Sequence, residues 1–237
     1  MKSTIWDSLW LVLALVSIMV LLLPAYFRNN RLKIWRKELD IDKHESVFND
    51  LYLEINGFEA SKLARQQKDE FALTYGEIRF QSFIALLSLC KPGQETIFYD
   101  LGSGAGKAVV AAAMVFPLKK ATGIERLNTL DEQAQQIKQR LITHPNYIHK
   151  EPVIHFNHND FLLCDWCDGN LIFINSTAII GDLWSQLMDK LALLKNDAIV
   201  ITTTKSIPLE SYTIIYCTDV LMSWGIVKAY IHRKKSN

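Results

Sequence analysis

The sequence predicts an α/β fold, a parallel sheet covered on both faces and finished by an antiparallel hairpin. Three observations predict it. From about Phe71 onward, short segments rich in β-branched and aromatic residues alternate with helical ones. Most residues of those segments are apolar, as in strands buried on both faces. The last two follow one another with no helix between them, which asks for a hairpin at the sheet edge.

In order, Ser82–Leu89 is an apolar-faced helix and Thr96–Leu101 (TIFYDL) the first strand. Lys107–Phe116 is a helix rich in Ala and Val, Ala121–Glu125 the second strand, and Thr129–Leu141 a polar helix. Val153–Asn157 and Leu171–Asn175 (LIFIN) are strands three and four. Gly181–Leu194 is an amphipathic helix and Ala198–Thr203 (AIVITT) the fifth strand. Tyr212–Val220 and Ile226–His232 close the order, joined by a turn near Trp224-Gly225.

The 237 residues leave room for one medium domain and an appendage, expected as residues 1–27, 28–70 and 71–237. Hydrophobic residues make up 49% and charged residues 22%, ordinary for a globular chain. The net charge of +1 carries no nucleic-acid footprint, and no nucleic-acid partner is expected. Its distribution says more. Arg28, Arg31, Lys33, Arg36 and Lys37 form a basic collar, while Lys2 and Asp7 cancel, so residues 38–237 hold a net −4. The four cysteines, Cys90, Cys164, Cys167 and Cys217, are too few and too irregular for a disulfide framework. Cys164 and Cys167 match C-x-x-C, yet no second ligand pair accompanies them and they do not open a helix. Two reduced thiols in a loop are expected, and no metal.

Ser8 to Phe27 is an uncharged run of 20 residues. As a helix it would reach about 30 Å, the hydrocarbon thickness of a bilayer. Trp6 and Trp10 flank one end, and Tyr26, Phe27 and Trp35 the other. A cleaved leader would have a shorter apolar core and a small-residue cleavage site, and a buried helix would show a polar face. The expectation is one N-terminal transmembrane helix, a single-pass membrane protein whose body, by the position of the collar, faces the cytoplasm. Residues 28–44 read as a polar connection, and Glu45 to about Lys68 as mixed helical patterning without a sharp motif.

The strongest local signal is Asp100-Leu101-Gly102-Ser103-Gly104-Ala105-Gly106, between a strand and a helix. Glycines at 102, 104 and 106 allow a sharp turn and a close approach of backbone to ligand. Such a turn also fits dinucleotides. Asp100 decides against them, because a carboxylate there repels a pyrophosphate and suits the ammonium of a methionine moiety. Glu125, at the tip of the second strand, is placed to accept both hydroxyls of a ribose. After the third strand, Asp160 could bond an adenine amino group and Phe161 cover its face. Singly, each has a structural reading: a cap, a solvated carboxylate, a core aromatic. Together they lie at the carboxyl ends of strands one to three, where open α/β sheets bind ligands, and point to S-adenosylmethionine (SAM).

Thr74-Tyr75-Gly76-Glu77, Phe98 to Lys107, Gly123-Ile124-Glu125, Asn159-Asp160-Phe161 and Leu171 to Asn175 together resemble the disruptor-of-telomeric-silencing (Dot-one-like) lysine methyltransferases, over roughly residues 70–205. The resemblance implies a class I methyltransferase (Rossmann-like) sheet with an antiparallel C-terminal hairpin. It implies that Tyr75, Gly76, Glu77 and Ile78 close over the methionine end of SAM. Phe98 to Lys107, including Ser103, would line the cofactor, Glu125 would hold the ribose, and Asp160 and Phe161 the adenine. Where the histone-modifying members carry two asparagines and an aromatic, this chain has Asn175-Ser176-Thr177-Ala178, and no long basic tail follows. A histone substrate therefore does not follow.

The function expected is transfer of a methyl group to a lysine of a protein substrate. Asn175 would orient the nucleophile through its side-chain oxygen, and Tyr75 would wall the channel. Methylation of a small molecule or lipid headgroup, a SAM-binding module without turnover, and an oxidoreductase of Rossmann type remain alternatives.

Overall fold

The computed structural model describes residues 23–24, 26–55, 76–150 and 153–236. Two compact units divide the chain, residues 1–43 and 44–237.

In the first unit, residues 26–38 are helical, and Tyr26 and Phe27 are exposed. The polar connection expected over 28–44 is thus a helix carrying the whole basic collar. Most of the expected transmembrane segment, residues 8–22 and Ala25, lies outside the described residues. Among the described residues no helix is long and apolar enough to cross a membrane. The described part of the expected span continues directly into the helix that carries the five cations.

The second unit is a sheet in the order β3-β2-β1-β4-β5-β7-β6. Its strands are β1 (Ile97–Leu101), β2 (Lys120–Glu125), β3 (Ile154–His158), β4 (Leu171–Ile174), β5 (Ile199–Thr203), β6 (Tyr212–Met222) and β7 (Gly225–Lys234). β1 to β5 run parallel, and β7 enters antiparallel between β5 and β6. This is the predicted α/β sheet with its antiparallel C-terminal hairpin. The helices are α1 (Ile41–Leu51), α2 (Phe80–Cys90), α3 (Lys107–Val115), α4 (Asn128–Thr143) and α5 (Gly181–Leu191).

Burial explains why these segments are strands. β4 is buried at every residue, and β1 and β5 at all but the first, so their mostly apolar runs serve both faces. Small side chains let α3 lie close to the sheet, burying Ala108 to Met114. On α2, Phe83 meets Phe173 of β4 at 5.1 Å and Phe98 of β1 at 6.2 Å between ring centroids. Trp166, Ile172, Leu187 and Val200 centre the apolar layer on the α5 side.

This packing sends the carboxyl ends of β1, β2 and β4 to one sheet edge. The crossover between β1 and β4 opens a crevice there, as in other doubly wound sheets.

Candidate functional site

The cleft begins with the turn after β1. Gly102 N–H and Ser103 N–H both donate to Ile124 O, at 2.9 and 3.1 Å, folding the glycine turn over the end of β2. Gly102, Gly104 and Gly106 all have positive φ, a region costly for other residues. Gly106 does not line the cleft. It opens α3 with φ 79°, and a Cβ on it would lie 2.5 Å from the ring of Phe156. Its part is to pack the turn against β3 and α4, so its assignment to the cofactor surface is corrected.

Glu125 ties the turn together. Its Oε2 accepts Gly104 N–H and its Oε1 accepts Leu127 N–H, each at 2.8 Å. Glu125 lines the cleft, and with Arg126 N–H as a third donor about one of its roughly four acceptor sites remains. Burial pushes Glu125 up from the usual carboxylate range, opposed by the N–H donors of Leu127, Gly104 and Arg126. Asp100 is buried, with no ion-pair partner among the described residues. Burial first, then the Glu125 carboxyl, push it up to about 8. A buried acid facing a second acid is what a cationic ligand would relieve. Ser103 Oγ, also on the cleft, is buried without a hydrogen-bond partner.

Beyond β3, Asn159 N–H donates to Glu125 O at 3.0 Å and holds the following turn against β2. Asp160 Oδ1 accepts Leu162 N–H at 2.8 Å, a local turn that aims Asp160 and Phe161 at the cleft. Cys164 and Cys167 are free thiols just past it, and Cys164 is buried, donating to Asp160 O at 3.1 Å.

The opposite wall is the segment Gly76 to Ile78. Asn175 Nδ2 donates to Gly76 O at 2.8 Å. Glu77 pairs its main chain with the hairpin turn: Ser223 N–H donates to Glu77 O at 2.7 Å, and Glu77 N–H to Ser223 Oγ at 3.2 Å. Ile78 bridges Met222 in antiparallel fashion. Lys107 Nζ, at the start of α3, donates to Glu77 Oε2 at 2.6 Å.

The cleft thus brings together Gly76, Glu77, Ile78, Asp100, Gly102, Ser103, Gly104, Lys107, Glu125, Asp160, Phe161 and Asn175. Tyr75, given two roles from sequence, lies outside the described residues. Asn175 departs from its expected role. Its Oδ1 already accepts Thr203 Oγ1–H at 2.7 Å and Thr177 Oγ1–H at 3.2 Å, filling both lone pairs expected to orient a nucleophile.

Tyr52, just past α1, was missed. Its hydroxyl donates to Ala105 O at 3.1 Å, and its ring lies under Lys107 Nζ at 5.1 Å. Burial, then Glu77 and Asp100, push its phenol upward. An aromatic in a mixed helical stretch gave no sign of this. Phe173, Ala178, Ile179 and Leu183 form an apolar wall beside Asn175 that was missed too. They read in sequence as core.

Comparison with known proteins agrees with this arrangement. An RNA methyltransferase from Salinibacter ruber, solved with S-adenosyl-L-homocysteine, matches 65% of this chain and 91% of its own, with a TM-score of 0.53 at 17% identity. The magnesium protoporphyrin IX methyltransferase of Synechocystis PCC 6803, solved with SAM, covers 81% of this chain and 97% of its own, with a TM-score of 0.51 at 12% identity. At such identities the likeness is one of fold. Both share the α/β sheet with the antiparallel C-terminal hairpin, so the class the fold defines is a class I methyltransferase-like one.

The family model of histone methylation protein DOT1 matches residues 55–230, and the chain belongs to that family. A histone-lysine N-methyltransferase, H3 lysine-79 specific, of Drosophila melanogaster is 28% identical over 141 residues, 57% of this chain. One of Caenorhabditis elegans, with the same name, is 29% identical over 143 residues, 55% of this chain. The chain spans only 8% and 14% of those proteins' lengths. The single-pass, cytoplasm-facing localisation expected from the apolar N-terminus is withdrawn. The relatives it matches are named as histone methyltransferases, and no described helix can cross a membrane.

Proposed function

We propose that the protein methylates a lysine side chain of a protein substrate. One observation carries the reading. A single cleft combines a buried acid (Asp100) beside a second one, a glycine turn clamped by Glu125, and Asp160-Phe161 with the Gly76-Glu77 wall of a lysine-methylating family.

Bound SAM supplies a methyl group on a sulfonium, so transfer is an in-line displacement in which sulfur keeps the S–C pair, the amine lone pair forms the N–C bond, and the amine proton goes to solvent. The chain holds the parts in line and keeps water out. Asp100 takes the ammonium of the methionine end. Glu125 uses its remaining acceptor site for the ribose, and Asp160 and Phe161 hold the adenine edge and face. A lysine amine has an ordinary pKa of about 10.4 and must lose its proton before it can attack. The apolar wall of Phe173, Ala178, Ile179 and Leu183 lowers that pKa by desolvation. Asn175 acts through Gly76, fixing the wall that faces the reacting centre. Asn175→Ala should lower the transfer rate at saturating SAM by up to about a hundredfold, since small misplacements cost that much. An unchanged rate would remove Asn175 from the account.

The full chain, given methyl-labelled SAM and a cell lysate, should label protein, with base-stable label mapping to lysine. Label that extracts into organic solvent instead would mean a lipid acceptor. Label confined to small molecules would equally contradict the reading.

A further inference from the structure

The segment Gly76 to Ile78 does not belong to the sheet, yet it is held from two sides. On the inner side Asn175 Nδ2 donates to Gly76 O at 2.8 Å, with Asn175 itself held by Thr203 and Thr177. On the outer side lies the two-residue turn of the β6–β7 hairpin, Ser223-Trp224. Ser223 makes the two main-chain links to Glu77. The Trp224 ring lies against Gly76: a Cβ there would fall 1.8 Å from ring atom Cζ3 and 2.6 Å from Cε3 and Cη2.

Gly76 is not among the glycines with positive φ, so its backbone would accept an alanine. What it cannot accept is a side chain in the space the indole fills. Gly76 and Trp224 are a matched pair joining distant parts of the sequence. Trp224 is 45% exposed, so its ring is not a core filler. On this tight turn its ring lies in the space beside Gly76 and so ties the hairpin to the wall.

We infer that Trp224 is a positioning residue that presets the Gly76–Ile78 wall against the methionine end of the cofactor. The inference rests on the reading of the cleft as a SAM site. Glu77 is bridged to Lys107, and both line the cleft beside Asp100, so the wall and the proposed ammonium site are neighbours. The nucleoside subsites use other elements, the ends of β2 and β3. Without the indole, the wall keeps its Ser223 links but gains backbone freedom that binding must then remove. The loss falls on the amino-acid half of the ligand alone.

The experiment measures binding of SAM and of 5′-methylthioadenosine, which lacks the amino-acid end, by calorimetry on the full chain. Thermal unfolding without ligand accompanies it. Trp224→Ala should weaken SAM about tenfold, the effect of freeing one or two backbone residues, and leave 5′-methylthioadenosine unchanged. Trp224→Phe should restore most of the affinity. Gly76→Ala should weaken SAM similarly by displacing the ring, and adding Trp224→Ala to it should cause no further loss. Gly76→Ala probes the contact from the other partner, should Trp224→Ala fold poorly. Wild-type SAM affinity in both single variants would overturn the inference, as would equal losses for the two ligands. A wild type that binds neither ligand overturns the cofactor reading and takes the inference with it.

Discussion

Asp100 and Glu125 share one buried corner, and the chain contains their repulsion by keeping a proton. With Asp100 pushed up to about 8 by burial and by Glu125, the folded protein binds a proton there that the unfolded chain releases near the ordinary carboxyl value of 3.8. The contribution to stability is full below that unfolded value and is lost as pH rises through about 8. Ligand-free wild type should therefore lose thermal stability relative to Asp100→Asn between pH 5 and 8; parallel profiles would mean Asp100 is not the group. An ammonium-bearing ligand reverses the preference. SAM binding at pH 7 should release about one proton, read from calorimetry in buffers of different ionisation heat. Glu125 makes the companion case. In Glu125→Gln one of the two backbone N–H donors at 2.8 Å would face an amide NH₂. The domain should lose about 1.5–3 kcal/mol by urea unfolding, the worth of a charge-assisted bond. A loss below about 0.5 kcal/mol, within the scatter of surface changes, would contradict the clamp.

Among the elements, the turn from β1 into α3 depends most on one residue type. Gly106 combines a left-handed backbone with contact to Phe156 and Ala134. Gly106→Ala should cost about 2–4 kcal/mol, from the left-handed conformation together with overpacking. An unchanged urea midpoint would show that β3 can shift aside. The strands were legible to within a residue or two at most ends, because β1, β4 and β5 are rich in apolar, aromatic and β-branched residues and bounded by turn residues. Each hairpin strand was read two residues short at its C-terminal end: Leu221 and Met222 beside the turn, and Arg233 and Lys234 at the open end, continue the ladder although the pattern turns polar or ends. The helix over 26–38 was hidden by its charges, since an exposed helix needs no apolar stripe to be seen in structure. The acids and glycines of the site were legible because a sharp turn and a cationic ligand require those residue types at strand ends. Tyr52, Ser223 and Trp224 were not. Each acts on the main chain of a segment distant in sequence, and such contacts leave no periodicity to read.

Over the whole molecule, a body of net −4 follows a segment of +5. The site shares that acidity, since Glu77, Glu125 and Asp160, with Asp100 once it ionises, line one cleft against the two cations Lys107 and Arg126. A cleft of that sign favours a ligand bearing a sulfonium and an ammonium over one bearing a pyrophosphate. The same charges would disfavour a nicotinamide dinucleotide, the ligand most often found on related sheets. Titration of the full chain with SAM and, separately, with NAD decides between them in one instrument. The account predicts saturable heat with SAM and none with the dinucleotide, and the reverse pattern would contradict it.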